Sequence, residues 1–197
     1  MGLLEIPTSE LLDRFASPDP TPGGGSAAAL AGALGAGLVS MVSAMPKTRT
    51  SAPEERERLD AALGWAREAG ARLRRLVEDD ALAYDAVIAA YRLPKGTDDE
   101  KAFRKAAVAS AMERATEVPL RTAEACLVVL RAAQEAAAHG NANALSDAHT
   151  GGAMAWAGLV GAAENVRVNA GPEGAGLDAL EAMVREGRER AASLRVL

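Results

Sequence analysis

A chain of 197 residues with a formal net charge of −5, one cysteine and only 3% aromatic residues is long enough for a single domain, 1–197, with a substantial core. Its acidic balance argues against nucleic acid as the main partner, because a phosphate backbone is met by a basic face, and the lone Cys126 excludes an internal disulfide. With 49% hydrophobic residues, mostly Ala, Leu and Val, the core has to be built from small side chains at short helix–helix distances.

Met1 to Pro7 lacks the basic start and long apolar run of a signal peptide, so a cytoplasmic chain is expected. Thr8 to Phe15 reads as a short amphipathic helix with Leu11, Leu12 and Phe15 on one side. Pro18, Pro20 and Pro22 hold Ser17 to Thr21 extended. Gly23-Gly24-Gly25-Ser26 then turns the chain into a helix, Ala27 to Met45, that carries no charge, with Ser26 placed to cap it. The glycines allow two readings. They leave bare amides at a helix start, where an anion binds, or they make a tight entry that lets another backbone come close. Neither nucleotide template fits, since no Gly-Lys-Ser/Thr follows the loop and no strand precedes it.

Ala27 to Met45 has the length of a membrane span, but most of it is Ala, Gly and Ser. Ala28, Gly32 and Ala36, and likewise Ala31 and Gly35, recur every four positions and invite close helix contact. A buried central helix of a bundle without a membrane partner is therefore expected. Lys47 and Arg49 place positive charge where the dipole of that helix favours it. A long helix is predicted from Glu54 to Tyr91, ended by Leu93-Pro94-Lys95-Gly96, and a charged one from about Asp98 to Ala115. Pro119 suits the first turn of a further helix through Cys126 to about His139; Cys126, in an apolar run, reads as a small core residue. After a break at Gly140 to Asn143, Ser146 or Asp147 caps a helix to about Ala170. Gly171-Pro172-Glu173-Gly174 precedes a last one, Leu177 to Arg195. No segment alternates as a strand does. The fold class is all-α, an up-and-down helical bundle around a Gly/Ala-rich central helix, and the extent of small-sided apolar surface points to a homodimer.

In such a bundle the informative residues are polar groups within apolar stretches. Asp80 and Tyr84 share a helix face and can aim a carboxylate and a phenol into one cleft, while Glu78 and Asp79 read as solvated. Asn141, Asn143, Ser146, Asp147 and His149 cluster at a helix start, where Asp147 serves as an N-cap or as a functional carboxylate. Asn165 and Asn169 lie on one face. Arg167 points elsewhere, toward a ligand carboxylate or an acidic residue of a neighbouring helix. Neither histidine has the spacing of a metal site.

Read together, Ala16 to Leu30, Asp79-Asp80 with Tyr84, Leu93-Pro94-Lys95, Ala115 to Leu120, Asn141 to Asp147 and Asn165 to Asn169 resemble the formiminotetrahydrofolate cyclodeaminase family, which includes stand-alone methenyltetrahydrofolate cyclohydrolases. The likeness spans most of the chain in order. Two positions depart from it. Tyr84 stands where phenylalanine is commoner, and His149 interrupts a run of small apolar residues.

The resemblance implies an all-helical homodimer that takes a reduced folate as substrate, with no metal and no separate cofactor. The expected reaction is closure of 5-formiminotetrahydrofolate to 5,10-methenyltetrahydrofolate with loss of ammonia. The alternatives are hydrolysis of the methenyl bridge to 10-formyltetrahydrofolate and a folate-binding dimer without turnover. Either reaction needs a group that takes and returns a proton. Asp147 and Asp80 are the catalytic candidates, one as acid–base group and the other as anchor of the pterin. For substrate binding the expectation adds Gly23, Gly24, Gly25, Ser26, Tyr84, Asn141 and Asn165, with the Gly23 to Gly25 amides, Lys95 or Arg167 receiving the anionic glutamate tail.

Overall fold

A computed structural model describes residues 2–171 and 176–197. Six α-helices follow in order: α1 (Thr8–Ala16), α2 (Gly24–Ala44), α3 (Pro53–Tyr91), α4 (Asp98–His139), α5 (Leu145–Ala170) and α6 (Leu177–Ser193). No strand occurs among the described residues. Helices α2 to α5 form a ring in which each packs on the next and α5 returns to α2, while α6 lies over the α4/α5 edge. Of the turn expected at Gly171 to Gly174, residues 172–174 lie outside the described residues.

The seam between α2 and α5 is made by absent side chains. A Cβ on Gly35 would stand 2.6 Å from the Gly151 carbonyl oxygen, and one on Gly158 would stand 2.7 Å from that of Ala28. One on Gly32 would meet Cys126 Sγ at 2.5 Å, so the sulfur fills the notch where three helices converge. Burial pushes the Cys126 thiol up to about 12, which makes it the inert core residue its apolar run suggested. The small-residue periodicity therefore marks helix contact, and the direction of α2 against both neighbours is antiparallel.

Four local readings change. Gly23 is the N-cap of α2, so the helix begins before Ala27 and Ser26 sits inside its first turn, with its hydroxyl turned to α3 instead of capping. The C-terminal carbonyls of α2 are held by Arg56, which donates to Met45 O and Ser43 O; Arg49 instead donates to Ala137 O at the end of α4. The two helices expected on either side of Pro119 are one, with Pro119 in its interior. A proline there removes an amide and frees the carbonyl one turn back, and Asn169 Nδ2 occupies that carbonyl, Ala115 O, at 2.7 Å. Finally, Asn141 Oδ1 caps a 3-10 turn (Ala142–Ala144) by accepting from Asn143 N, and α5 then starts without a side-chain cap, leaving Ser146 and Asp147 in its first turn.

Helix α2 is also less covered than a central helix should be. It has no charge from end to end, yet Leu34 and Met41 are 52% and 43% exposed. By length and composition it passes the test for a membrane span, as core helices of soluble bundles also do.

The α6 helix is fastened by a charged clasp. Arg131 of α4 donates twice to Glu186, at 2.9 Å each, and Arg190 donates to Glu186 Oε1 at 2.8 Å. The Arg131 hydrogen bonds, with Arg190 adding to them, hold the Glu186 carboxyl at about 2 against an ordinary 4.5. A depressed carboxylate stabilises the fold above its unfolded pKa and ceases to do so as pH falls through the folded one. Stability is therefore expected to decline from about pH 4.5 toward about 2, by a modest amount because the clasp faces solvent. Urea midpoints measured over that range should show a shallower decline in Glu186→Gln than in the wild type; parallel curves would remove the clasp from the account.

Candidate functional site

At the end of the bundle where α2 begins, a cavity of about 250 Å³ opens between the proline–glycine loop and helices α3, α4 and α5. Its lining includes Gly23, Gly24 and Gly25, then Asp80 and Tyr84 of α3, Ala115 of α4, and Asn165, Val168 and Asn169 of α5. Residues far apart in sequence meet here because α2 and α5 run antiparallel. The first turn of one faces the last turn of the other.

Asp80 is the carboxyl of this cavity. It reaches the start of α2 because Gly25 has no side chain; a Cβ there would lie 2.1 Å from Asp80 Oδ1. Ser26 Oγ donates to Asp80 Oδ2 at 3.0 Å and lies 2.9 Å from Val77 O. The amides of the first helical turn have no partner within the helix, and the positive end of the dipole favours an anion. Of the two readings of the glycines, the close approach holds at Gly25, where the missing side chain makes room for the Asp80 carboxyl. Burial pushes the Asp80 carboxyl above the ordinary carboxylate value, while the Ser26 hydroxyl and amide pull it back. A half-buried acid whose pKa is raised is the kind of group that can both give and take a proton near neutrality.

Asn165 and Asn169 both line the cavity. Asn165 Nδ2 donates to Gly161 O at 2.9 Å, and Asn169 Nδ2 donates to Ala115 O. With the amide nitrogens so used, each Oδ1 accepts no hydrogen bond among the described residues. Thr21 Oγ1 donates to Asp85 Oδ1 at 3.1 Å and ties the loop to α3. Tyr84 lies one turn beyond Asp80 and is the other titratable side chain of the lining. The cleft is thus uncharged but for one carboxyl, with two side-chain amides, a phenol and a hydroxyl beside it.

Several expected site residues lie elsewhere. Asp147 and Asn141 are at the opposite end of α5, and Asp147 stands about 27 Å from Asn165 along the helix axis. Within one chain Asp147 and Asp80 cannot share a cleft, which corrects the picture of two carboxyls dividing the acid–base and anchoring roles. Arg167 is engaged by Glu181 at 2.8 Å and by Glu164, so the neighbouring-helix alternative holds for it. Lys95 is exposed in the turn after α3 and does not line the cavity. Asn169, Ala115 and Thr21 were not among the expected site residues. A proline within a helical stretch, with an unpaired carbonyl to satisfy, was the signal for the first two.

The fold is that of a small all-helical protein with one partly buried carboxyl in an otherwise uncharged cleft. A family model described as Formiminotransferase-cyclodeaminase matches residues 7–172, and the chain belongs to that enzyme family. The methenyltetrahydrofolate cyclohydrolase of Methylorubrum extorquens is 45% identical over 163 residues, which cover 81% of this chain and 76% of that protein. The formimidoyltransferase-cyclodeaminases of Rattus norvegicus and Sus scrofa are 34% and 36% identical; each match covers 85% of this chain but only 31% of the relative. The chain therefore spans under a third of the length of those bifunctional relatives. A crystal structure of formiminotetrahydrofolate cyclodeaminase from Thermotoga maritima superposes with a TM-score of 0.80 at 21% identity, covering 98% of this chain and 96% of that one. That likeness speaks for the fold.

The role of Gly25 is open to a direct check. Gly25→Ala should displace the Asp80 carboxyl while leaving the bundle helical, and should lower turnover about 100-fold, the scale of loss when a reacting group is misplaced by about 1 Å. Retained turnover in a folded Gly25→Ala would show that Asp80 need not sit at the start of α2.

Proposed function

We propose that this chain acts at the single carbon held between N5 and N10 of a tetrahydrofolate, in the cytoplasm and without a resident metal or cofactor, and that Asp80 moves the proton. The observation that carries the reading is one half-buried carboxyl in a cavity whose other polar groups are neutral. A pterin presents adjacent amino and ring N–H donors, which suit Asn165 Oδ1 and Asn169 Oδ1. Cavities for whole drug-sized ligands run from about 300 Å³ upward, so a site of about 250 Å³ takes the bicyclic head and leaves the glutamate tail outside. This accords with the engagement of Arg167 and the position of Lys95.

In hydrolysis, Asp80 as carboxylate takes a proton from water as the oxygen bonds to the bridging carbon. The resulting acid returns the proton to N5 as the carbon–N5 bond breaks, and the hydroxyl on the carbon gives up its remaining proton to solvent, leaving the formyl group on N10. In cyclodeamination, N10 attacks the formimino carbon and ammonia leaves, with the same proton taken and returned. The 45% identity with a cyclohydrolase of similar length favours hydrolysis as the first reading. The identity of 34 to 36% with the bifunctional proteins keeps cyclodeamination as the second.

Absorbance of the methenyl chromophore tests both. Purified protein should speed its loss from 5,10-methenyltetrahydrofolate, and Asp80→Asn should slow that reaction by about 10²- to 10⁴-fold. Appearance of the chromophore from 5-formiminotetrahydrofolate would establish the deaminase instead. No rate above background in either assay, with folate still bound, would leave a binding protein.

The same reading includes a homodimer formed over the exposed stripe of α2. A charge-free helix face with Leu34 and Met41 half uncovered is costly to leave in water, and an isologous contact covers it on both copies at once. Sedimentation should give a dimer for the wild type and a monomer for Leu34→Glu; a wild type that sediments as a monomer at assay concentrations would remove the dimer.

A further inference from the structure

Ser26 and Asp80 face each other across the α2/α3 seam. The Ser26 side chain is fully buried, and its Oγ stands 2.9 Å from the Val77 carbonyl oxygen and 3.0 Å from Asp80 Oδ2. A hydroxyl carries one proton, so it can donate to only one of these oxygens at a time. When Asp80 is ionised, the proton is drawn to Oδ2, and Val77 O keeps the α-helical bond from the amide four residues on. When Asp80 is protonated, the Ser26 proton turns to Val77 O and the carboxyl O–H donates to Ser26 Oγ. Every buried polar group is paired in both arrangements, and only a hydrogen has moved.

We propose that Ser26 is a positioning residue that holds Asp80 in place through both halves of the proton transfer, its hydroxyl proton passing between Val77 O and Asp80 Oδ2 as the carboxyl gains or loses its own. The inference rests on the reading of Asp80 as the acid–base group. Without such a partner, a half-buried carboxyl would gain a hydrogen bond in one charge state and lose it in the other. The side chain would then shift as it worked.

The surroundings leave Ser26 as the main polar influence. From α2, Gly25 and Ser26 stand against Asp80, and Ala115 of α4, Asn165 and Asn169 of α5 and Thr21 of the loop line the same cavity. Tyr84 is the other titratable group of the cavity. Asp85 holds Thr21, and Asp79 lies in a separate hollow with Glu113, Arg114, Glu117 and Arg121. Burial raises the Asp80 pKa, and the Ser26 hydroxyl is the largest influence against it.

The test is to follow the Asp80 carboxyl carbon by NMR in protein labelled with 13C-aspartate, assigned by its absence from Asp80→Asn. The bond to the ionised carboxylate is charge-assisted and so the stronger of the two; in Ser26→Ala the titration midpoint should therefore rise by about one pH unit, a tenfold gain in proton affinity, and the acid limb of kcat/KM should move up with it. A midpoint that stays where it is in a folded Ser26→Ala overturns the proposal. Should the alanine variant fail to fold, Ser26→Cys, with its weakly donating thiol, carries the same expectation and the same refutation. The underlying reading fails on a different measurement: full turnover in Asp80→Asn would end the acid–base role of Asp80 whatever its titration in Ser26→Ala.

Discussion

The structure depends on the direct approach of two helix backbones. Where α2 meets α5, side chains are missing on both sides: Gly35 lies against Gly151, and Gly158 against the Ala28 carbonyl. Dispersion attraction over such a seam is strong because many atoms come within contact distance, and the geometry tolerates no added carbon. With the seam closed, the start of α2 and the end of α5 are held level. The long helices α3 and α4 then have to pass on the other side of the ring, which brings Asp80 and Ala115 to the same end. The position of the cavity follows from the closure of the ring.

The cavity draws its chemistry from backbone groups that the fold leaves over. Asp80 stands at the start of α2, partly buried, and accepts from Ser26 Oγ. The Ala115 carbonyl, freed by Pro119, is met by Asn169, which is thereby held at the cavity. Burial raises the Asp80 pKa, and the Ser26 hydroxyl and amide lower it.

The poles of α5 show how far local sequence goes. Asn165 and Asp147 are both polar residues of one helix, and in sequence they carried equal weight as site residues. Helix geometry separates them by about 27 Å, and only Asn165 lies at the end where α2 begins. Arg167 was open to a ligand or to a neighbouring acid, and the packing of α6 placed Glu181 beside it. The Pro119 helix break was a sound local inference, since proline in a helix interior costs about 3 kcal/mol. It failed because Asn169, fifty residues on, takes up the freed carbonyl.

The sequence by itself determined the helical class, the extent of α3, the seam of small residues on α2, the burial of Cys126 and the loop of glycines at the site. These features follow from periodicity, charge and the conformational rules of Gly and Pro, which act within a few residues. Only the tertiary structure decided that Asp80 and not Asp147 lines the cleft, that Ser26 turns to α3 instead of capping α2, and that Asn169 and Ala115 belong to the lining. Those outcomes depend on which helix ends lie side by side. That arrangement is set by the summed packing of the ring, and no local pattern encodes it.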